Sequence, residues 1–282
     1  MKKKTTQTST VLIALALMVI LVNNQCQDQG YNPPSHTEIQ RGDHLLLGNP
    51  SNANNDPDNY LMTKAEFVLS YNRTRGTANW VAWHLNQKWD GNAERQNDFR
   101  PDPDLPEGWY RVHPNDYRNS GFDRGHLCPS ADRDANAAEN SATFLMTNIF
   151  PQAPNNNRGP WRELEEYARR LVEQGNELYI IAGMYGHGGT GSNGGRTKYL
   201  ANKKIYVPAQ AWKVILVLPE GENDLQRINA NTRVIAIDMP NQQNVANTQW
   251  QDYAVSVDEL ERRTGYDFFS ALPNALQKQL QK

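Results

Sequence analysis

Short apolar runs broken by polar residues in "YLMTKAEFVLSYN" and again in "ANWVAWHLN" predict strands. In the second stretch Trp80, Ala82 and His84 fall on one face, and Val81, Trp83 and Leu85 on the other. Downstream, "ELYIIAGMY", "IYVPAQAWKVILVLP" and "TRVIAIDMP" read as further strands separated by Gly-rich, Asn-rich or polar loops. The period changes to that of a helix in "WRELEEYARRLVEQG". There Trp161, Leu164, Ala168, Leu171 and Val172 share one face, Pro160 suits the first turn and Gly175 the end. Near the carboxyl end, "SVDELERRTG" places Ser256 and Glu259 in capping-box spacing. "DFRPDPDLPEGW" is a proline-punctuated loop, and "ENSATFLMTNIFPQAPNNNRGPW" is an apolar stretch that ends in a polar loop. With no internal repeat and no break after residue 60, the pattern predicts one α+β domain on a mixed, largely antiparallel sheet.

The amino terminus has a different pattern. Lys2 to Lys4 precede the twelve-residue apolar run Val11 to Val22, the charged and apolar regions of a secretory signal, and short for a membrane span. Residues 1–25 are therefore expected to be a signal peptide or an N-terminal anchor, and the protein to be exported, extracellular or periplasmic. Cys26 lies where a lipidated cysteine would fall, although Asn23, Asn24 and Gln25 are not the small residues favoured at a cleavage site. Residues 26–57, rich in Asn, Asp, Pro and Gly, are expected to be a linker leading into the domain. Cys26 and Cys128 are the two cysteines, too few for a disulfide scaffold; a bridge between them and a buried free thiol at Cys128 both remain open.

At 282 residues the chain can bury a full core without metals or disulfides. Its formal charge is −2, and the leader's three lysines, with no acid beside them, leave the rest near −5. This excludes a protein that coats duplexes through overall positive charge. Phosphate chemistry would have to come from a local cluster of arginines.

One segment offers such a cluster. "GFDRGHLCPSADR" collects two Asp, two Arg and one His around Gly125, where neither periodicity runs cleanly. Hydrolysis of a phosphodiester needs a base for water, positive charge at phosphorus and help for the leaving oxygen. His126 titrates near neutrality, and Arg124 shares its face if the segment is extended. "APNNNRGPW" supplies Asn155, Asn156 and Asn157; magnesium prefers hard oxygens and accepts one or two protein ligands. A helix turning 100° per residue places Glu165 about 40° and Arg169 about 80° from Trp161, beside the buried stripe. The bland readings are a structural histidine, a surface Glu–Arg pair and an Asn-rich loop. The pieces are individually weak, and their order and the helix that follows carry the weight.

The segments "DRGHLCPSADR" and "TNIFPQAPNNNRGPWRELEEYAR", with "NRTRGTANWVAWHL" and "VDELERRTGYDFF", resemble the DNA/RNA non-specific endonucleases, the ββα-metal nucleases that include endonuclease G. The similarity runs from about Tyr60 to Leu272, which implies an endonuclease domain over residues 58–275 and a C-terminal tail over 276–282. Carried over by position, the resemblance implies His126 as general base and Asn157 as the sole direct protein ligand of hydrated Mg2+, with Mn2+ as a substitute. It implies catalytic roles for Arg124, for Asn148 beside the histidine, for Glu165 orienting water on the metal, and for Arg169. A last arginine that contacts substrate is Arg95 or Arg100. The implied reaction is cleavage of DNA and RNA to 5′-phosphate ends. A homodimer and no small-molecule cofactor complete the expected set.

The competing reading is an exported nucleic-acid-binding protein that does not cut, for which loss of the His or Asn would be the sign; both are present. A toxin-type nuclease would need a delivery domain. A zinc-dependent relative would need paired ligands that the motif lacks.

Overall fold

The computed structural model describes residues 43–282. The expected leader, Cys26 and the first part of the expected linker lie outside them. The rest of that linker winds through turns against the sheet: Leu47 and Ala53 are buried, and Ser51 Oγ accepts a hydrogen bond from Trp80 Nε1 at 2.8 Å.

Six strands make the main sheet: β1 (Tyr60–Thr63), β2 (Val68–Asn72), β3 (Thr77–Leu85), β6 (Asn176–Tyr185), β9 (Gln210–Pro219) and β10 (Arg233–Pro240), in the order β1-β2-β3-β6-β9-β10. Every pairing is antiparallel. All of β3 is buried, because both faces of the sheet are covered. Val81, Trp83 and Leu85 meet α2 (Arg162–Glu173) through Trp161, Leu164 and Ala168, the stripe that the helical period picks out. Trp80 and Ala82 meet the other layer, with Leu47, Leu260, Phe268 and Leu280. Each large apolar side chain so buried contributes roughly 1.5–3 kcal/mol.

Two short strands, β4 (Asp123–His126) and β5 (Ile149–Gln152), pair in register His126↔Ile149 and Asp123↔Gln152 on the α2 side. The segment between them holds α1 (Ala137–Ala142). A two-stranded hairpin, β7 (Tyr199–Leu200) and β8 (Ile205–Tyr206), stands outside the main sheet.

Three segments depart from expectation. The Asn run expected as a loop is helical from Pro154, and passes through a π-helical turn over Asn157–Trp161 before α2. Pro160 cannot donate a backbone hydrogen bond and Gly159 takes φ −106, ψ −118, so the turn widens there. The expected tail carries most of α4 (Asn274–Leu280): Leu280 is buried and Gln281 Nε2 donates to both carboxylate oxygens of Glu261. Only half of the capping box forms at α3 (Val257–Thr264). Ser256 Oγ accepts from Glu259 N at 3.2 Å, while the Glu259 carboxylate turns to Arg262 and Arg263.

Candidate active site

β4 carries the motif because Gly125 lets β5 come close: a Cβ there would lie 2.1 Å from Gln152 Oε1. Gln152 in turn donates to Asn156 Oδ1 at 2.7 Å, which ties β5 to the helical turns that follow. β4, β5 and α2 thus form a ββα unit with His126 at the end of its first strand.

His126 is 8% exposed and packs against two phenyl rings that also touch each other, with centroids 5.4 Å away for Phe99 and 5.0 Å for Phe144. Each ring carries a guanidinium: Arg124 lies 4.1 Å from the Phe99 centroid and Arg95 lies 4.8 Å from that of Phe144. Burial, then the charges of Arg95 and Arg124, push the imidazole down to about 3, so it is neutral near pH 7. Its Nε2 has no hydrogen-bond partner among the described residues. A neutral imidazole can accept a proton at an unpartnered ring nitrogen, and an anionic phosphate bound by Arg95 and Arg124 would offset the charges that hold its basicity down.

Asn148 is fully buried, and its amide is spent on backbone: Oδ1 accepts from Cys128 N at 3.0 Å, and Nδ2 donates to Cys128 O and Thr143 O. It therefore holds the chain just after His126, as a positioning residue. Cys128 is a buried free thiol, and burial pushes it up to about 12. Such a thiol packs as a small apolar group.

Asn157 donates from Nδ2 to Asp123 Oδ2 at 2.9 Å, and Arg158 grips the same carboxylate through two nitrogens. Asp123 thereby fixes the amide orientation of Asn157, and Oδ1 is left without a hydrogen bond among the described residues. A lone hard oxygen of this kind suits a well-hydrated divalent cation such as magnesium.

Glu165 and Arg169 stand on α2 above two groups that residue patterns did not single out. Lys213, 1% exposed in the middle of β9, lies 4.2 Å from the Trp161 ring centroid and reaches Glu165 Oε1 at 3.4 Å. Burial pushes the Glu165 carboxyl up, and the Lys213 charge pulls against that. Asp132, 2% exposed, accepts from Arg169 NH1 and from Trp83 Nε1, both at 3.0 Å. Asp132 is visible in the sequence as part of "SADR", and Lys213 as the single charge inside an apolar strand. A lone charge in a buried strand is the signal that would have found the latter.

Arg95 and Arg100 differ in where they stand. Arg95 lines a cleft of about 520 Å³ with Phe99, Arg118, Asp123, Arg124 and Asn157. Arg100 does not; it pairs with Asp98 at 2.7 Å and with the carbonyl of Ser141.

Another group of ligand-type atoms, from His84, Glu177 and Asp224, lies on the other face of the sheet within 4.8 Å of one another. Arg227 pairs with both carboxylates, and Tyr179 donates to Asp224. A guanidinium already supplies the positive charge there, so this cluster reads as a structural ion-pair network.

A family model described as DNA/RNA non-specific endonuclease matches residues 48–275. Over 274 residues the chain is 49% identical to a protein named Nuclease from Nostoc sp., covering 95% of this chain and 96% of that one. It is 35% identical over 210 residues to the mitochondrial Nuclease EXOG of Danio rerio, covering 73% of this chain and 59% of that protein. To the mitochondrial Endonuclease G of Homo sapiens it is 32% identical, with coverage of 77% and 70%. The fold is shared with a chain in the crystal structure of the EndoG/EndoGI complex, at a TM-score of 0.67 and 24% identity, over 83% of this chain and 92% of that one. With the family model matched over most of its length and a near-full-length relative at this identity, the chain belongs to the DNA/RNA non-specific endonuclease family.

Proposed function

We propose that this endonuclease is magnesium-dependent and cuts both DNA and RNA with little sequence preference, leaving 5′-phosphate ends. One observation carries the reading: His126 is neutral, buried against two aromatic rings and unpartnered at Nε2, with guanidinium groups on both rings at an open cleft. His126 Nε2 takes the proton of the attacking water. Arg95 and Arg124 bind the scissile phosphate and offset the charge that grows on it. Asp132 orients Arg169 for the same purpose, and Lys213 holds Glu165 in place and favours its charged form against the effect of burial. Asn157 is the residue that would hold magnesium and Glu165 would orient a water beside it; the ion would supply positive charge at the phosphate and the departing 3′ oxygen. Binding through phosphate carries no base identity, which fits indifference to sequence.

The test is plasmid DNA and total RNA incubated with the protein, with magnesium or EDTA, beside His126→Ala. Loss of both substrates that needs metal and His126 supports the reading. Intact substrates with a folded protein in magnesium would leave a binding protein instead. We further propose export, on the leader alone. Cell fractionation should place the protein outside the cytoplasm, and a cytoplasmic full-length chain would refute it.

A further inference from the structure

Across residues 178–219 the chain contains no Asp or Glu, yet carries Arg196, Lys198, Lys203, Lys204 and Lys213. In a protein of net charge −2 this is a local excess, and most of it surrounds the β7–β8 hairpin. We propose that this hairpin, together with the turn bearing Arg73 and Arg75, is a second nucleic-acid-binding surface that holds the substrate strand beyond the scissile phosphate. The proposal rests on the nuclease reading above and extends its substrate path.

Three observations carry it. First, Arg73, Arg75, Lys198, Lys203 and Lys204 form no ion pair among the described residues, whereas Arg162 and Arg169 of α2 and Arg262 and Arg263 of α3 pair with carboxylates. The neighbouring carboxylates are spoken for: Asp58 bonds Thr74, and Asp116 accepts from Tyr110 Oη and His113 N.

Secondly, the cations are interleaved with aromatic rings. Lys204 Nζ lies 5.4 Å from the Tyr110 ring centroid, and the Arg75 guanidinium 5.2 Å from that of Tyr206. Tyr110 and Tyr199 are 37% and 41% exposed, two of the three large apolar side chains left exposed among the described residues. Exposed rings beside unpaired cations suit a strand whose phosphates and bases both need partners.

Thirdly, the surface is continuous with the cleft. Leu200, Ile205 and Val207 pack against Tyr117 and Phe122, whose other sides line it. Ser192 N donates to Gly121 O at 2.8 Å, two residues before β4. Gly76 seals the turn to the hairpin, since a Cβ there would lie 2.2 Å from Lys204 O. A strand leaving the cleft past Arg118 thus meets Tyr110 and Lys204 next.

The experiment compares the full chain with its K203A/K204A variant, and with K203R/K204R to keep the charge. Substrates are a single strand of about 40 nucleotides, long enough to leave the cleft, and bis(p-nitrophenyl) phosphate, which is not. On the long strand KM should rise about fivefold in the alanine variant, with kcat unchanged and the arginine variant near wild type. The small diester should be cut at the wild-type rate. In EDTA, anisotropy of the labelled strand should show a salt slope shallower by about 1.4, for two lost phosphate contacts. Equal losses on both substrates, or no loss on either, would overturn the proposal. Should the wild-type protein cleave neither, the nuclease reading fails, and the EDTA binding data still decide: equal Kd values would refute the surface, and weaker binding by the alanine variant would support it.

Discussion

At the scale of single residues, the site is built from charges and rings whose ionisation is set by burial. His126 Nε2 has no hydrogen bond to lose, so His126→Ala should cut the cleavage rate by about two to four orders of magnitude while the thermal midpoint falls only as far as the lost packing on Phe99 and Phe144 requires. A comparable loss of stability would mark the ring as structural. His44 is also held neutral: its Nδ1 accepts from His84 N at 3.1 Å, its Nε2 meets Ala65 O at 2.9 Å, and burial pushes it down to about 3. An unfolded imidazole titrates near 6.5, so between that pH and about 3 the unfolded chain binds more protons than the folded one. Stability is therefore full above pH 6.5 and declines as pH falls towards 3. Urea midpoints taken from pH 7 down to 4.5 should show the decline, and His44→Gln should flatten it. Identical slopes for the two proteins would mean that His44 takes up protons while folded. Lys213 makes the sharpest case for a positioning role. Lys213→Met should lower kcat at least tenfold, since the Glu165 carboxylate loses its buried counter-charge, and Lys213→Arg should recover part of it. Wild-type turnover in the methionine variant would remove Lys213 from the site.

Among the elements, the ββα unit depends on one close approach. Gly125→Ala puts a methyl group against Gln152 Oε1 and Cβ, both nearer than 3 Å, in a strand pair whose other end fixes His126. Overpacking of this kind should cost about 1–3 kcal/mol, read as a lower urea midpoint, and should slow cleavage by moving the imidazole. Unchanged stability would mean that Gln152 can swing aside. This strand pair also shows where sequence reading stops. The long strands were legible as long apolar runs, buried along nearly all their length, and α2 by its period, which selects the four residues it buries together with Trp161 just before it. β4 and β5 are too short to show a period, and Pro151 sits inside one of them. The resemblance, not the pattern, located their chemistry. The helical turns at Pro154–Trp161 were read as loop because Asn favours loops, whereas Asn156 is held there by Gln152 and by the carbonyl of Pro240. Those contacts are 4 and 84 positions away. Lys213 and Asp132 were missed for a related reason: their meaning depends on α2 lying across β3 and β9, which no local pattern reports.

For the molecule as a whole, the central sheet divides the labour between its two faces. His126, Asn157, Glu165, Arg169 and Lys213 belong to the α2 side, while His84, Glu177, Asp224 and Arg227 tie the opposite layer to the same strands. His84 and Trp83 are adjacent in β3 and point to opposite faces, so one strand serves both networks. Side chains of β3 that point apart share a backbone but no contact, and effects on the two networks should add. The far-face network should therefore govern stability alone. Glu177 is 3% exposed and answers both His84 Nε2 and the Arg227 guanidinium, so Glu177→Gln leaves two partners without their buried anion. Removing one partner of a buried pair costs about 3–5 kcal/mol, and Arg227 is 27% exposed, so water recovers part of that. A loss of about 2–3 kcal/mol is expected, with kcat unchanged when cleavage is measured well below the new unfolding midpoint, and with no restoration by added magnesium or zinc. A fall in kcat at constant stability would place the far-face cluster in the reaction and contradict the division. Added metal that raised the midpoint of the wild-type protein but not of Glu177→Gln would show a cation displacing Arg227 there. The opposite pairing, stability lost on the far face and turnover lost on the α2 face, would show that the sheet insulates one network from the other.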